Sequence, residues 1–154
     1  MPIDPQPAAD DLTAIDTLFR SPALAADATD DQGWRTAFAE LIGRVDTLLT
    51  QVEARGYRVD FMRGVGVNGK IQDITSLVHW MNRHLPDVAA DRPGQWPQNR
   101  LNRYANEGWG RFANGCSFAN EFDGDVAFFI DDQRIYLHNQ LHRAVDQARL
   151  LLAI

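Results

Sequence analysis

Apolar residues recur every three or four positions between Trp34 and Val52. Trp34, Phe38, Leu41, Ile42, Val45, Leu48, Leu49 and Val52 make one stripe, and Arg35, Glu40, Arg44, Asp46 and Glu53 occupy the opposite face. This period predicts a long amphipathic helix over about 32–55, capped by Thr29, Asp30 or Asp31 and stopped by Gly56. Shorter stretches of the same period predict three more helices. One covers about Asp10 to Arg20, with Leu12, Ile15, Leu18 and Phe19 inward and Ser21-Pro22 as its stop. A second runs from near Asp73 to His84, with Ile74, Leu77, Val78 and Met81 inward, and ends at Leu85-Pro86. The third closes the chain through QLHRAVDQARLLL, with Leu141, Ala144, Val145, Ala148, Leu151 and Leu152 inward. A short helix also fits Asn99 to Asn106.

Between Gly115 and His138 the helical period gives way to short strand-like runs. A first strand carries Cys116, Phe118 and Phe122; VAFFI (126–130) and RIYL (134–137) follow, separated by Asp123-Gly124 and Asp131-Asp132. An Asp-Gly pair is a strong hairpin signal, because glycine tolerates the positive φ of tight turns. Phe128, flanked by Val126 and Ile130 in the most apolar stretch inside the chain, is expected to be fully buried. YRVDFM predicts one further strand near 57–62, and the glycines after it a hairpin closed by Asn68-Gly69. The expected fold is α+β: a small antiparallel β-meander over about residues 115–137 plus the strand near 57–62, packed by three or four α-helices. Residues 1–9, with three prolines, are expected to be a flexible tail before a single domain of residues 10–154. Residues 22–31 read as a poorly packed connection and residues 86–98 as a long surface loop.

At 154 residues the chain is large enough for one real core. Its net charge of −6 is unevenly placed: residues 1–33 hold seven acids against Arg20, and the remainder is balanced. A neutral body lacks the basic footprint of a nucleic-acid binder, so no nucleic acid is expected as partner. Fourteen of the fifteen bases are arginine, which fits a GC-rich, bacterial genome. Cys116 is the only cysteine, so no intrachain disulfide can form, and a cytoplasmic location is expected. The start, MPIDPQPAADD, has neither the basic nor the apolar region of a secretory signal, and no apolar run is long enough for a bilayer. No membrane is therefore expected as partner.

Three constellations are candidates for chemistry. Gly64, Gly66, Gly69 and Lys70 match a glycine-rich phosphate-binding pattern, but Ile71 stands where the magnesium-binding hydroxyl belongs. A plain glycine-rich turn is the simpler reading. His138 and His142, four apart on an expected helix, share a face that a metal could bridge, with Asp146 continuing the row; without an HExxH pattern, two surface histidines are the simpler reading. Cys116 could be a nucleophile only if a histidine came near it, and in an apolar strand it is more simply a small core residue.

A charge pattern is left over. Glu121, Asp123, Asp125, Asp131 and Asp132 crowd the meander's turns without a base among them, and Trp109 precedes them in a glycine-rich stretch. Such a carboxylate patch suits a cationic partner, with Trp109 as an apolar anchor; pairing with Arg100, Arg103 or Arg111 is the competing account. The functional expectation is a non-enzymatic cytoplasmic protein-binding module of the immunity or inhibitor kind, needing no cofactor and engaging another protein with a basic surface. The alternatives are a small metal- or nucleotide-dependent enzyme, through the histidines or the glycine-rich turn, and a self-associating homo-oligomeric scaffold subunit.

Overall fold

A computed structural model of the chain describes residues 6–89, 101–105, 108–111, 117–120, 124–130 and 133–153. These form four α-helices: α1 (Gln6–Phe19), α2 (Asp31–Ala54), α3 (Ile74–Ala89) and α4 (Arg143–Leu152). They also form five strands: β1 (Leu101–Ala105), β2 (Gly108–Arg111), β3 (Ser117–Asn120), β4 (Val126–Ile130) and β5 (Gln133–Tyr136). A 3-10 turn (Pro22–Leu24) joins α1 to α2, and a π-helical turn (Leu137–His142) leads from β5 directly into α4. Strands β1, β4 and β5 make an antiparallel sheet in that order; β2 and β3 pair as a separate antiparallel hairpin. The fold is α+β, as expected.

Helix α2 is the centre of the core. Its expected stripe is buried from Trp34 to Val52, and α1, α3 and α4 all pack on it. Its end follows the expected glycine stop. Gly56 adopts φ +84°, its N–H donates to Glu53 O at 2.9 Å, and Tyr57 N–H donates back to Val52 O at 3.2 Å. Phe128, fully buried on β4, stacks on Phe38 of α2 with ring centroids 4.1 Å apart. Val126 and Ile130 join the same core, while Ala127 and Phe129 are buried on the other face of the sheet with Tyr136. All five residues of β4 are buried because both faces of the central strand are covered.

Several elements differ from the expectation. The stretch 57–62 is not a strand. Phe61 O accepts from Ile74 N–H at 3.0 Å and Val59 O from the Thr75 hydroxyl at 2.5 Å, so these carbonyls are spent on the start of α3 rather than on a neighbouring strand. Residues 101–105, expected as helix, are strand β1, which pairs with the free edge of β4. The strand at 117–120 does not extend the meander but pairs with β2. Helix α1 begins at Gln6, inside the expected tail, and Ala8 is buried. Helix α3 passes through Pro86 to Ala89. The bridge that closes the glycine-rich segment joins Asn68 to Ile71, one residue later than expected.

Residues 22–31, expected to pack poorly, are held in place. Leu24 is buried, and the Arg103 guanidinium of β1 donates to the carbonyls of Ala25, Ala26 and Ala28 at 2.7, 2.9 and 3.1 Å. Burial lowers the Arg103 pKa from its ordinary value, partly offset by Asp27. Two acids of the N-terminal region also pair with the body: Asp11 with Arg44 at 3.3 Å and Asp16 with Arg149 at 3.1 Å. Among the described residues, no helix is long and apolar enough to cross a membrane.

Candidate functional site

The chain from Tyr57 to Gln72 is irregular except for one bridge, yet both its ends are fixed. At the α3 end, Arg58 grips Asp73 with two parallel bonds, Nε to Oδ2 at 2.7 Å and a second nitrogen to Oδ1 at 3.0 Å, and also reaches Glu53 at 2.9 Å. Asp73 is buried and caps α3, accepting the Ser76 N–H at 3.0 Å. Burial by itself would raise the Asp73 pKa; the Arg58 and Ser76 hydrogen bonds outweigh it and hold the carboxyl below its ordinary value.

In its middle, this segment passes along β5, the edge of the three-stranded sheet. A side chain on Gly66 would lie 3.3 Å from the Gln133 carboxamide oxygen. One on Gly64 would lie 3.0 Å from Gln140 Nε2 and 3.9 Å from the Tyr136 ring, and Gly64 has φ +76°. Glycine at 64 meets both a left-handed backbone and a close approach. The loop thus lies against the side chains of Gln133 and Tyr136 of β5.

Gln140 makes the approach specific. Its oxygen accepts the Tyr136 N–H at 2.8 Å and its nitrogen donates to Arg63 O at 3.2 Å, so one buried side chain ties the helix start to the loop. The first of these bonds is half of a capping box. The usual partner is the third helical residue; here it is the fourth, because the π turn is wider. Asp125 supplies the other cap. Its carboxylate accepts the N–H groups of His138 (2.9 Å), Asn139 (3.1 Å) and Val126 (2.8 Å), and the Asn139 side-chain amide (2.6 Å). A carboxylate here offsets the positive end of the helix dipole, and its donors compensate its burial.

Between loop and π turn lies a cleft of about 290 Å³ lined by Arg63, Gly64, Tyr136, Asn139, Gln140 and Arg143. Arg143 sits over the Phe61 ring at 4.2 Å. The loop also exposes three large apolar side chains, Tyr57 (54% exposed), Met62 (57%) and Val67 (48%). The other large exposed apolar residue among those described is Leu150 on α4.

The sequence-derived candidates fall at several places. Asp125 is 2% exposed and serves as a helix cap, so it is not part of an exposed acidic patch. Glu121, Asp123, Asp131 and Asp132 lie outside the described residues, as does Cys116. Trp109 stands in β2 opposite Ala119. Arg103 binds backbone carbonyls of the α1–α2 connection. Gly64 lines the cleft and Gly66 faces Gln133, while Gly69 and Lys70 form an exposed turn; the four do not converge on one cradle. His138 and His142 are both exposed. His142 Nδ1 is 3.2 Å from Asp146, as the expected row implied, and its ring packs on Phe19. Among the described residues no three His, Cys, Asp or Glu side chains come together as a metal would require.

Sequence reasoning missed Arg63, Asn139, Gln140 and Arg143. Their only trace is an arginine beside Gly64 and a run of polar residues after the last strand. Compared with family models, with curated proteins and with solved structures, the chain gives no match.

Proposed function

We propose that the chain is a cytoplasmic protein-binding module without catalytic activity, whose partner docks on the segment 57–67. The observation that carries this reading is the confinement of exposed apolar side chains. Tyr57, Met62 and Val67 lie within eleven residues of one irregular segment, whose ends are pinned by Arg58–Asp73 and whose middle is pinned by Gln140. Apolar side chains on an ordered, non-repetitive surface make the apolar centre of an interface at little ordering cost.

The same segment meets Gln133, the residue after Asp131 and Asp132. In sequence those carboxylates, with Glu121 and Asp123, make a local excess of acid, which suits a partner with a basic surface. An immunity or inhibitor role, in which an acidic module covers a basic site, is the functional class that this combination suits. The single cysteine fits a reducing compartment.

The test is quantitative co-purification from the native cell with wild type and with the Tyr57→Ser, Met62→Ser double variant. A protein recovered in stoichiometric amount with the wild type and lost from the folded variant supports the reading. Equal recovery with both, or no stoichiometric partner, contradicts it. Wild-type dimerisation abolished by the same two substitutions would make the partner a second copy of this chain.

A further inference from the structure

We propose that the cleft between the glycine-rich loop and the π turn binds a small oxyanion, a carboxylate or phosphate group carried on a free small molecule, between the guanidinium groups of Arg63 and Arg143. The cleft would bind such an anion whether or not the 57–67 surface binds a protein.

Arg35, Arg44, Arg58 and Arg149 each form an ion pair with a carboxylate. Arg63 and Arg143 line one cavity, and among the described residues neither is paired with a carboxylate. An oxyanion is the ligand that two such arginines suit, since each can grip it with a planar fork.

Gln140 spends one Nε2 hydrogen on Arg63 O, which leaves the other as a neutral donor. Gly64 lets the backbone close in, since a side chain there would run into Gln140. Arg143 is already positioned by the Phe61 ring, so it is partly ordered before a ligand arrives. The N-terminal N–H groups of His138 and Asn139 are taken by Asp125, so the cationic character of the cleft comes from the two arginine side chains and not from the helix dipole. The Asn139 amide nitrogen is likewise occupied by Asp125, which leaves its oxygen to accept from a hydroxyl or amine on the ligand.

About 290 Å³ lies at the small end of ligand pockets, which start near 300 Å³. A compact dicarboxylate or phosphate ester fits that description. The occupant is not held as a phosphate loop holds a nucleotide, because Gly69 and Lys70 stand on the exposed turn around Asn68–Ile71, outside the cleft lining.

The test is calorimetric titration of the full chain with inorganic phosphate and, separately, with succinate, each at ionic strength matched by sodium chloride. One of the two should bind with one-to-one stoichiometry and raise the melting temperature. Arg63→Gln and Arg143→Gln should each weaken it about tenfold or more, since a charge-assisted pair is lost. Arg143→Lys should weaken it as well, because a lysine keeps the charge without the fork. Lys70→Gln should leave it unchanged. Preference for phosphate assigns a phosphoryl ligand, and preference for succinate a carboxylate one. Binding of neither anion above the chloride control overturns the proposal, as does an equal loss in Lys70→Gln. If Arg143→Gln lowers the melting temperature by itself, Arg63→Gln decides, because Arg63 is exposed.

Discussion

Phe128 of β4 stacks on Phe38 of α2 with 18° between their planes and 4.1 Å between their centroids, and Trp34 tilts against the same ring at 5.8 Å. This contact joins the central strand to the central helix, so the sheet and the helical layer share one core. Phe128→Ala removes a fully buried ring and should cost about 3–5 kcal/mol. Urea melts give the value; a loss below about 1 kcal/mol would mean that β4 is not central to the core.

Asp125 is an acid whose structural duty can be measured. Replacing it with Ala leaves the N–H groups of His138 and Asn139 without their acceptor, and should cost about 2 kcal/mol by the usual range for helix caps and charged hydrogen bonds. Asp125→Asn keeps one acceptor oxygen and should cost less. Equal stability of all three proteins would remove Asp125 from the cap.

Acid sensitivity should centre on Asp73. Its pKa is lowered in the fold, so the unfolded chain takes up its proton first as pH falls. The stability this carboxylate contributes is therefore complete above the unfolded value of about 3.9 and disappears as pH drops through the lower folded value. Asp73→Asn should be less stable than wild type at pH 7, and the gap should narrow steadily below about pH 4. A gap independent of pH would show that the Arg58–Asp73 pair contributes through geometry alone.

The run of acids in residues 121–132 gives a kinetic prediction. Charge reversal at Asp123 and Asp131 should slow association with the partner and weaken its salt dependence, while the melting temperature stays unchanged. Lower stability with unaltered association would instead assign these carboxylates to internal pairing.

Sequence periodicity reveals the elements whose partners are implied by their own pattern. The α2 stripe from Trp34 to Val52 could bury itself only as one helix face, and Gly56 marked its end. The burial of Phe128 followed from its place in an apolar strand. The failures involve partners that no local pattern names. YRVDFM has strand composition, but the start of α3 takes the carbonyls of Val59 and Phe61. LNRYA reads as helix as readily as strand, and β4 decides by pairing with it. The cleft was hidden for the same reason. Arg63 and Arg143 are eighty residues apart, and they line one cleft because Gln140 and the absence of a side chain at Gly64 bring loop and π turn together. The π turn carries no sequence mark except Gln140 itself.

The most direct measurement of the central claim is the affinity of the purified partner for three surface variants. Tyr57→Asp and Met62→Asp place a charge in the apolar centre of the proposed interface, and Leu150→Asp places the same charge on another exposed apolar residue. The first two should each weaken binding by about tenfold or more, the loss expected when a buried anchor is replaced by a charge. Leu150→Asp should bind as the wild type does. Wild-type affinity in both Tyr57→Asp and Met62→Asp would contradict the account.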